Sequence, residues 1–64
     1  MQVYIEREDK QEELEFTGTA KELCEQLGIN VQTILVLKNG ELVTEEEPLS
    51  NEDKIKLVTV VSGG

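Results

Sequence analysis

Only one stretch of this chain carries a complete set of helix signals, and it is too short to cover more than one face of a sheet. Thr19 is a favourable N-cap, and Glu22 stands three residues on, so Thr19-Ala20-Lys21-Glu22 reads as a capping box. Ala20, Leu23, Cys24 and Leu27 follow the i, i+3, i+4, i+7 spacing of a single apolar face, with Lys21, Glu25 and Gln26 left to water. Gly28 ends the run, with Ile29 placed to pack back on it as in a Schellman stop. The helix is about nine residues, or roughly 13 Å, long. One sheet face is therefore expected to remain open to solvent or to a partner.

Strand patterns surround that helix. Met1, Val3 and Ile5 alternate with Gln2, Tyr4 and Glu6, the period-two signature of a half-buried strand. Arg7-Glu8-Asp9-Lys10 follows as a turn, and Leu14 and Phe16, alternating with Glu13 and Glu15, predict a second strand before Gly18. The segment from Thr33 to Lys38 is β-branched and aliphatic, and it is followed by Asn39-Gly40 and then Glu41-Leu42-Val43. Asn-Gly between apolar segments predicts a type I′ hairpin, because both residues tolerate positive φ. Residues 44–53 form a polar connection in which Leu49 is expected to plug the core, with Ser50 and Asp53 as turn formers through local hydrogen bonds. Ile55 to Val61 is the last strand. The order is strand, strand, helix, strand, short strand, strand, an α+β chain.

Size and charge exclude several function classes. Sixty-four residues make a single domain. Such a chain buries only about 60% of its unfolded surface, which leaves no room for a catalytic cleft of its own. Fourteen acidic side chains against six basic ones give a net charge of −8. That balance argues against nucleic acid, whose binding needs cations to displace counterions, and against an anionic membrane surface. The chain has no histidine and one cysteine, Cys24, so an internal disulfide, a Cys-based metal cluster and an iron–sulfur centre are ruled out. Cys24 lies on the apolar helix face beside acidic Glu25, where a thiol serves as core filler rather than as a nucleophile. With no charged-then-apolar leader and no apolar membrane-length window, a cytoplasmic protein is expected. The glycines never take phosphate-loop spacing, so no ATP site is expected in this chain.

The chain closes on Ser62-Gly63-Gly64, straight after the last strand. Residues 62–64 are expected to form a flexible tail on a domain spanning 1–61. Two residues without side chains let a backbone thread a narrow channel, and three extended residues reach about 10 Å. Element order and diglycine end together resemble the ubiquitin-like β-grasp fold. The resemblance is closest to the small sulfur carriers, namely the thiamine-biosynthesis carrier ThiS, the molybdopterin-synthase subunit MoaD and archaeal ubiquitin-like modifiers. Met1-Gln2-Val3-Tyr4-Ile5 is similar to the opening strand of ubiquitin. Leu23 to Gly28 is similar to the family's helix end, and Val36 to Val43 to the carriers' central hairpin. Asp53 to Leu57 with Val60-Val61-Ser62-Gly63-Gly64 is similar to their closing strand and tail. The implied fold is a mixed sheet of four to five strands packed on one main helix. Ser62 stands where ubiquitin carries a basic residue, which argues against activation by eukaryotic ubiquitin-activating enzymes.

The resemblance implies a carrier that is a macromolecular substrate and not an enzyme. An adenylyltransferase like the ubiquitin-activating enzymes would adenylate Gly64 with ATP, since a carboxylate is a poor electrophile. Gly63 and Ser62 would be the tail's recognition contacts. Attack by the persulfide of a sulfur-donor protein would give a thiocarboxylate for a sulfur-accepting synthase. Attack by lysines would instead make the chain a protein modifier, and a third reading is a passive interaction module. A partner-binding face is also expected. With Leu35 and Leu37 turned to the core, Ile34, Val36, Val58 and Val60 form an outward apolar cluster, and such patches mark binding sites.

Overall fold

The computed structural model describes residues 1–60. The expected tail, 62–64, and Val61 before it lie outside the described residues.

Strand β1 (Gln2–Ile5) buries Val3 and Ile5 and turns Tyr4 to the opposite side. A 3-10 turn at Glu6–Glu8 and a left-handed Asp9, φ 48°, reverse the chain into β2 (Lys10–Glu13). The hairpin is as expected, but its second strand falls earlier. Pairing of the four-residue β1, from Gln2 opposite Glu13 to Ile5 opposite Lys10, fixes β2 on wholly polar residues. Leu14 closes the ladder through its N–H to the Met1 carbonyl at 3.0 Å, and Leu14 and Phe16 then pack on the core from beyond the strand.

The helix α1 (Ala20–Leu27) has the ends the sequence predicts. Glu22 N–H donates to Thr19 Oγ1 at 3.2 Å, and Thr19 N–H donates to Glu22 Oε1 at 2.9 Å. At the other end Gly28 takes φ 74°, with Gly28 N–H on the Glu25 carbonyl at 3.2 Å and Ile29 N–H on that of Cys24 at 2.8 Å, a full Schellman pair. Just before the helix, β3 (Gly18–Thr19) pairs with β6 (Pro48–Leu49) in a two-stranded sheet that the sequence pattern does not announce. Two residues are too few to show a period. This small sheet holds the 44–53 connection against the helix start. There Ala20 N–H reaches the Glu47 carbonyl at 3.0 Å and Lys21 N–H that of Glu45 at 2.8 Å, satisfying donors that a first helical turn leaves open. Leu49, 4% exposed, plugs the core as expected.

The main sheet is completed by β4 (Ile34–Lys38), β5 (Glu41–Val43) and β7 (Lys54–Thr59), in the order β2-β1-β7-β4-β5. Asn39 and Gly40 take φ 52° and 87°, both in the positive region that the Asn-Gly hairpin requires. Strand β7 runs parallel to β1 and antiparallel to β4, so the sheet is mixed and β7 is its centre. One helix on one face of a mixed five-stranded sheet is the α+β ubiquitin-like β-grasp.

The outward assignment of Ile34 and Val36 is corrected. Val36 is 3% exposed within the core, and Ile34 packs against the core from the same face. Directly opposite residues of paired strands share a face, and Val36 lies opposite Leu57. Since Leu57 and Ile55 are buried, Val36 must be too, and Leu35, opposite Val58, points outward and is 42% exposed. Val58 and Val60 lie on the outer face, as expected from their alternation with buried Ile55 and Leu57.

Candidate functional site

Gly64, Gly63 and Ser62, the expected reactive end and its recognition contacts, lie outside the described residues. The structure does place the strand that leads to them. β7 is hydrogen-bonded along both edges, and Val60 N–H still reaches the Thr33 carbonyl at 3.0 Å, which ties the chain beside the start of β4. Around that point a small cleft is lined by Ile5, Arg7, Ile29, Ile34, Leu57 and Thr59.

The open sheet face divides into two parts. Near the end of β7 it is apolar, with Leu35 at 42% and Val60 at 48% exposure and half-buried Val58 directly opposite Leu35. Leu42, 62% exposed, adds an apolar side chain on β5, in the row of Leu37 and Lys56. Of the four residues expected on this face, Val58 and Val60 are brought together and Ile34 and Val36 are not. Leu35 and Leu42 take their place. The signal that finds them is cross-strand pairing: once Leu57 is set inward, its partner is inward and the flanking residues are outward.

Toward the start of β7 the same face is polar. Tyr4 Oη donates to Asp9 Oδ1 at 2.6 Å, and Lys56 Nζ sits 5.8 Å from the centre of the Tyr4 ring. The hydrogen bond to Asp9 raises the Tyr4 pKa above its ordinary value, aided by burial and by the negative charges of Asp9 and Glu6, so the phenol stays neutral. Beyond it, Asp53 anchors the turn before β7. Its Oδ2 accepts from Ser50 N–H at 2.8 Å, and its Oδ1 accepts from Asn39 Nδ2 at 3.0 Å. Lys38 Nζ lies 3.8 Å away and 3.1 Å from Glu47 Oε2. The Ser50 amide, then Asn39, hold the Asp53 carboxyl below its usual pKa. Ser50 and Asp53 are thus the turn formers the sequence suggests.

Cys24 is fully buried, and burial, with a smaller contribution from Glu45, pushes its thiol up to about 11. Such a thiol is not a nucleophile at neutral pH. Among the described residues no cluster of three or more His, Cys, Asp or Glu side chains is arranged to hold a metal ion. Nor is any helix among them long and apolar enough to cross a membrane. The described residues thus present an open sheet face that is apolar toward the end of β7 and polar toward its start.

A family model described as the ThiS family matches residues 2–64. The chain is also 32% identical over 57 residues to a protein of Thermus thermophilus named sulfur carrier protein TtuB, a match covering 89% of this chain and 88% of that protein.

Proposed function

The chain belongs to the ThiS family, and from that membership we propose that it is a sulfur carrier whose cargo is bound as a thiocarboxylate at Gly64. The observation that carries the reading is the extent of the family match. It spans residues 2–64 and so runs through Ser62-Gly63-Gly64. The name of the Thermus thermophilus relative points to the same cargo.

The chemistry follows from the α-carboxyl group, whose pKa near 3.5 leaves it ionised at neutral pH and resistant to nucleophiles. A partner adenylyltransferase removes that resistance. The Gly64 carboxylate oxygen attacks the α-phosphorus of ATP, pyrophosphate leaves, and an acyl adenylate forms. The terminal sulfur of a donor persulfide then attacks the carbonyl carbon, and AMP leaves with the bonding pair. A donor thiolate next attacks the inner sulfur of the acyl persulfide, releasing the Gly64 thiocarboxylate and leaving a disulfide on the donor. Gly63 and Gly64 present no Cβ to a narrow channel, and Ser62 supplies a hydroxyl contact at its mouth. Leu35, Val58 and Val60, at the end of β7, dock the activating partner beside the point from which the tail departs.

Intact-mass measurement on the protein from its native cell tests the reading. A species heavier by the exchange of one oxygen for one sulfur, absent after deletion of Gly63 and Gly64, is the expected result. Recovery of the chain only as the unmodified acid, or only joined through Gly64 to lysines of other proteins, refutes sulfur carriage. Val60→Asp should slow ATP–pyrophosphate exchange with the activating partner while the domain stays folded. An unchanged rate removes this face from the docking surface.

A further inference from the structure

The polar half of the open face contains a shallow groove of about 460 Å³ that crosses four strands. Gln11 on β2, Gln2 and Tyr4 on β1, Lys54 and Lys56 on β7, and Leu37 on β4 line it. The chain carries fourteen acidic side chains, yet none of the lining residues is acidic. Two of its six cations stand there instead. Ion pairs among the described residues are those of Lys38 with Glu47 and Asp53, so Lys54 and Lys56 have no carboxylate partner within them. Of the carboxylates at the rim, Asp9 is taken up by the Tyr4 hydroxyl, while Glu6 acts on Tyr4 through its charge and Glu13 stands opposite Gln2.

We propose that this groove docks an extended acidic segment of a partner protein, at a position separate from the exit of the tail. Lys54 and Lys56 are alternate residues on one face of β7, so their stems are about 6.6 Å apart. An extended segment repeats its own same-side carboxylates at that spacing, which fits one acidic side chain to each ammonium. The Tyr4 ring under Lys56 and the half-buried Leu37 opposite it supply an apolar floor for the stems between charges. Gln2 and Gln11 add amide donors that do not repel carboxylates. The remaining surface of a chain with net charge −8 repels such a segment, so the groove is where it is admitted. From Lys54 to Val60 the strand advances roughly 20 Å. A partner held here therefore leaves the end of β7 free for chemistry.

The test is an amide chemical-shift titration of the full chain with a capped peptide of alternating glutamate and threonine. Shifts are expected at Gln2, Tyr4, Lys54 and Lys56 and not around Val60, weakening as salt is raised. The double variant K54Q/K56Q should bind the peptide roughly three- to tenfold more weakly, with unchanged shifts at buried Leu57 showing that it is folded. The same peptide with glutamine in place of glutamate is an arm that needs no variant, and it should leave the groove unshifted. Equal binding of the glutamine peptide, undiminished binding by the double variant, or shifts confined to the apolar half would overturn the proposal. So would inorganic phosphate producing the whole response by itself, since the groove would then be a small-anion site.

Discussion

The assignment of faces on β4 has a sharp consequence at two adjacent residues. Val36→Asp puts a carboxylate into a position 3% exposed between the helix and β7, whereas Leu35→Asp puts one on the open face at 42% exposure. A carboxyl group buried at Val36 has its pKa raised by about 3, which at neutral pH costs about 4 kcal/mol. Loss of the valine's burial adds about 2 kcal/mol. The total of about 6 kcal/mol compares with roughly 3–10 kcal/mol expected for the whole stability of a domain this size. Leu35→Asp loses about 1 kcal/mol of partial burial and up to about 1 kcal/mol of strand preference, while its charge stays in water. In urea, with a slope of about 1 kcal/mol per molar, Leu35→Asp should lower the midpoint by about 1–2 M. Val36→Asp should show little or no cooperative transition at pH 7. Its carboxyl has a folded pKa above the unfolded value, so the penalty vanishes below about pH 4 and grows as pH rises to about 7. Far-UV circular dichroism across urea and pH reads both variants. A Leu35→Asp chain as damaged as Val36→Asp, or a Val36→Asp chain with the parent's midpoint, would refute the face assignment.

Three further outcomes follow from the same structure. Because hydrogen bonds hold Asp53 below its ordinary pKa of 3.8, its contribution is full above that value and is lost as pH falls through the lower folded value; Asp53→Asn should flatten the acid limb of the stability–pH curve measured in urea. Gly18 sits at φ 151°, and a Cβ there would lie 2.9 Å from both Glu22 Oε1 and Phe16 Cζ. Gly18→Ala should therefore cost roughly 1–3 kcal/mol in the same urea series and loosen the capping box. With its thiol pushed up to about 11 and fully buried, Cys24 should react with a disulfide reagent only at the rate of unfolding; rapid labelling of the native chain at pH 8 would contradict that burial.

The parts of the fold legible in the sequence are those whose signals are local. Thr19, Glu22 and Gly28 announce both helix ends within ten residues, and Asn39-Gly40 announces its hairpin unaided, because capping and positive φ depend on near neighbours. The face of β4 is illegible for the opposite reason. Ile34-Leu35-Val36-Leu37 is apolar throughout, so alternation offers no contrast, and its parity is set only by pairing with the distant β7. The polar strand β2 was hidden by the alternation of Leu14 and Phe16 just after it, residues that pack on the core where the ladder ends. In the candidate site, Val58 and Val60 were legible because buried Ile55 and Leu57 mark their neighbours. The groove around Tyr4 was not, since residues from four strands meet there only once the sheet order is known.

Under the proposed function, that sheet order also gives the folded domain a role beside its tail. A diglycine segment on a loose chain would present its carboxyl group at every orientation, and a partner would have to order it at an entropic cost of about 1–2 kcal/mol per residue. Here the strand that leads toward it, β7, is the centre of the main sheet. It is paired with β1 on one edge and β4 on the other, and its start is fixed by Asp53 through Ser50, Asn39 and Lys38. A slip of one residue would turn Val58 and Val60 toward the core and Thr59 outward, exchanging the open face for the buried one. Lys54 and Asn39 are also tied to each other, Lys54 N–H donating to Asn39 Oδ1 at 3.0 Å and Asn39 N–H to the Lys54 carbonyl at 2.8 Å, which locks the register at the start of β7. Under the proposed function, the position of Val60 is therefore set at the far end of the strand, by side chains that a partner docking beside Val60 has no need to touch.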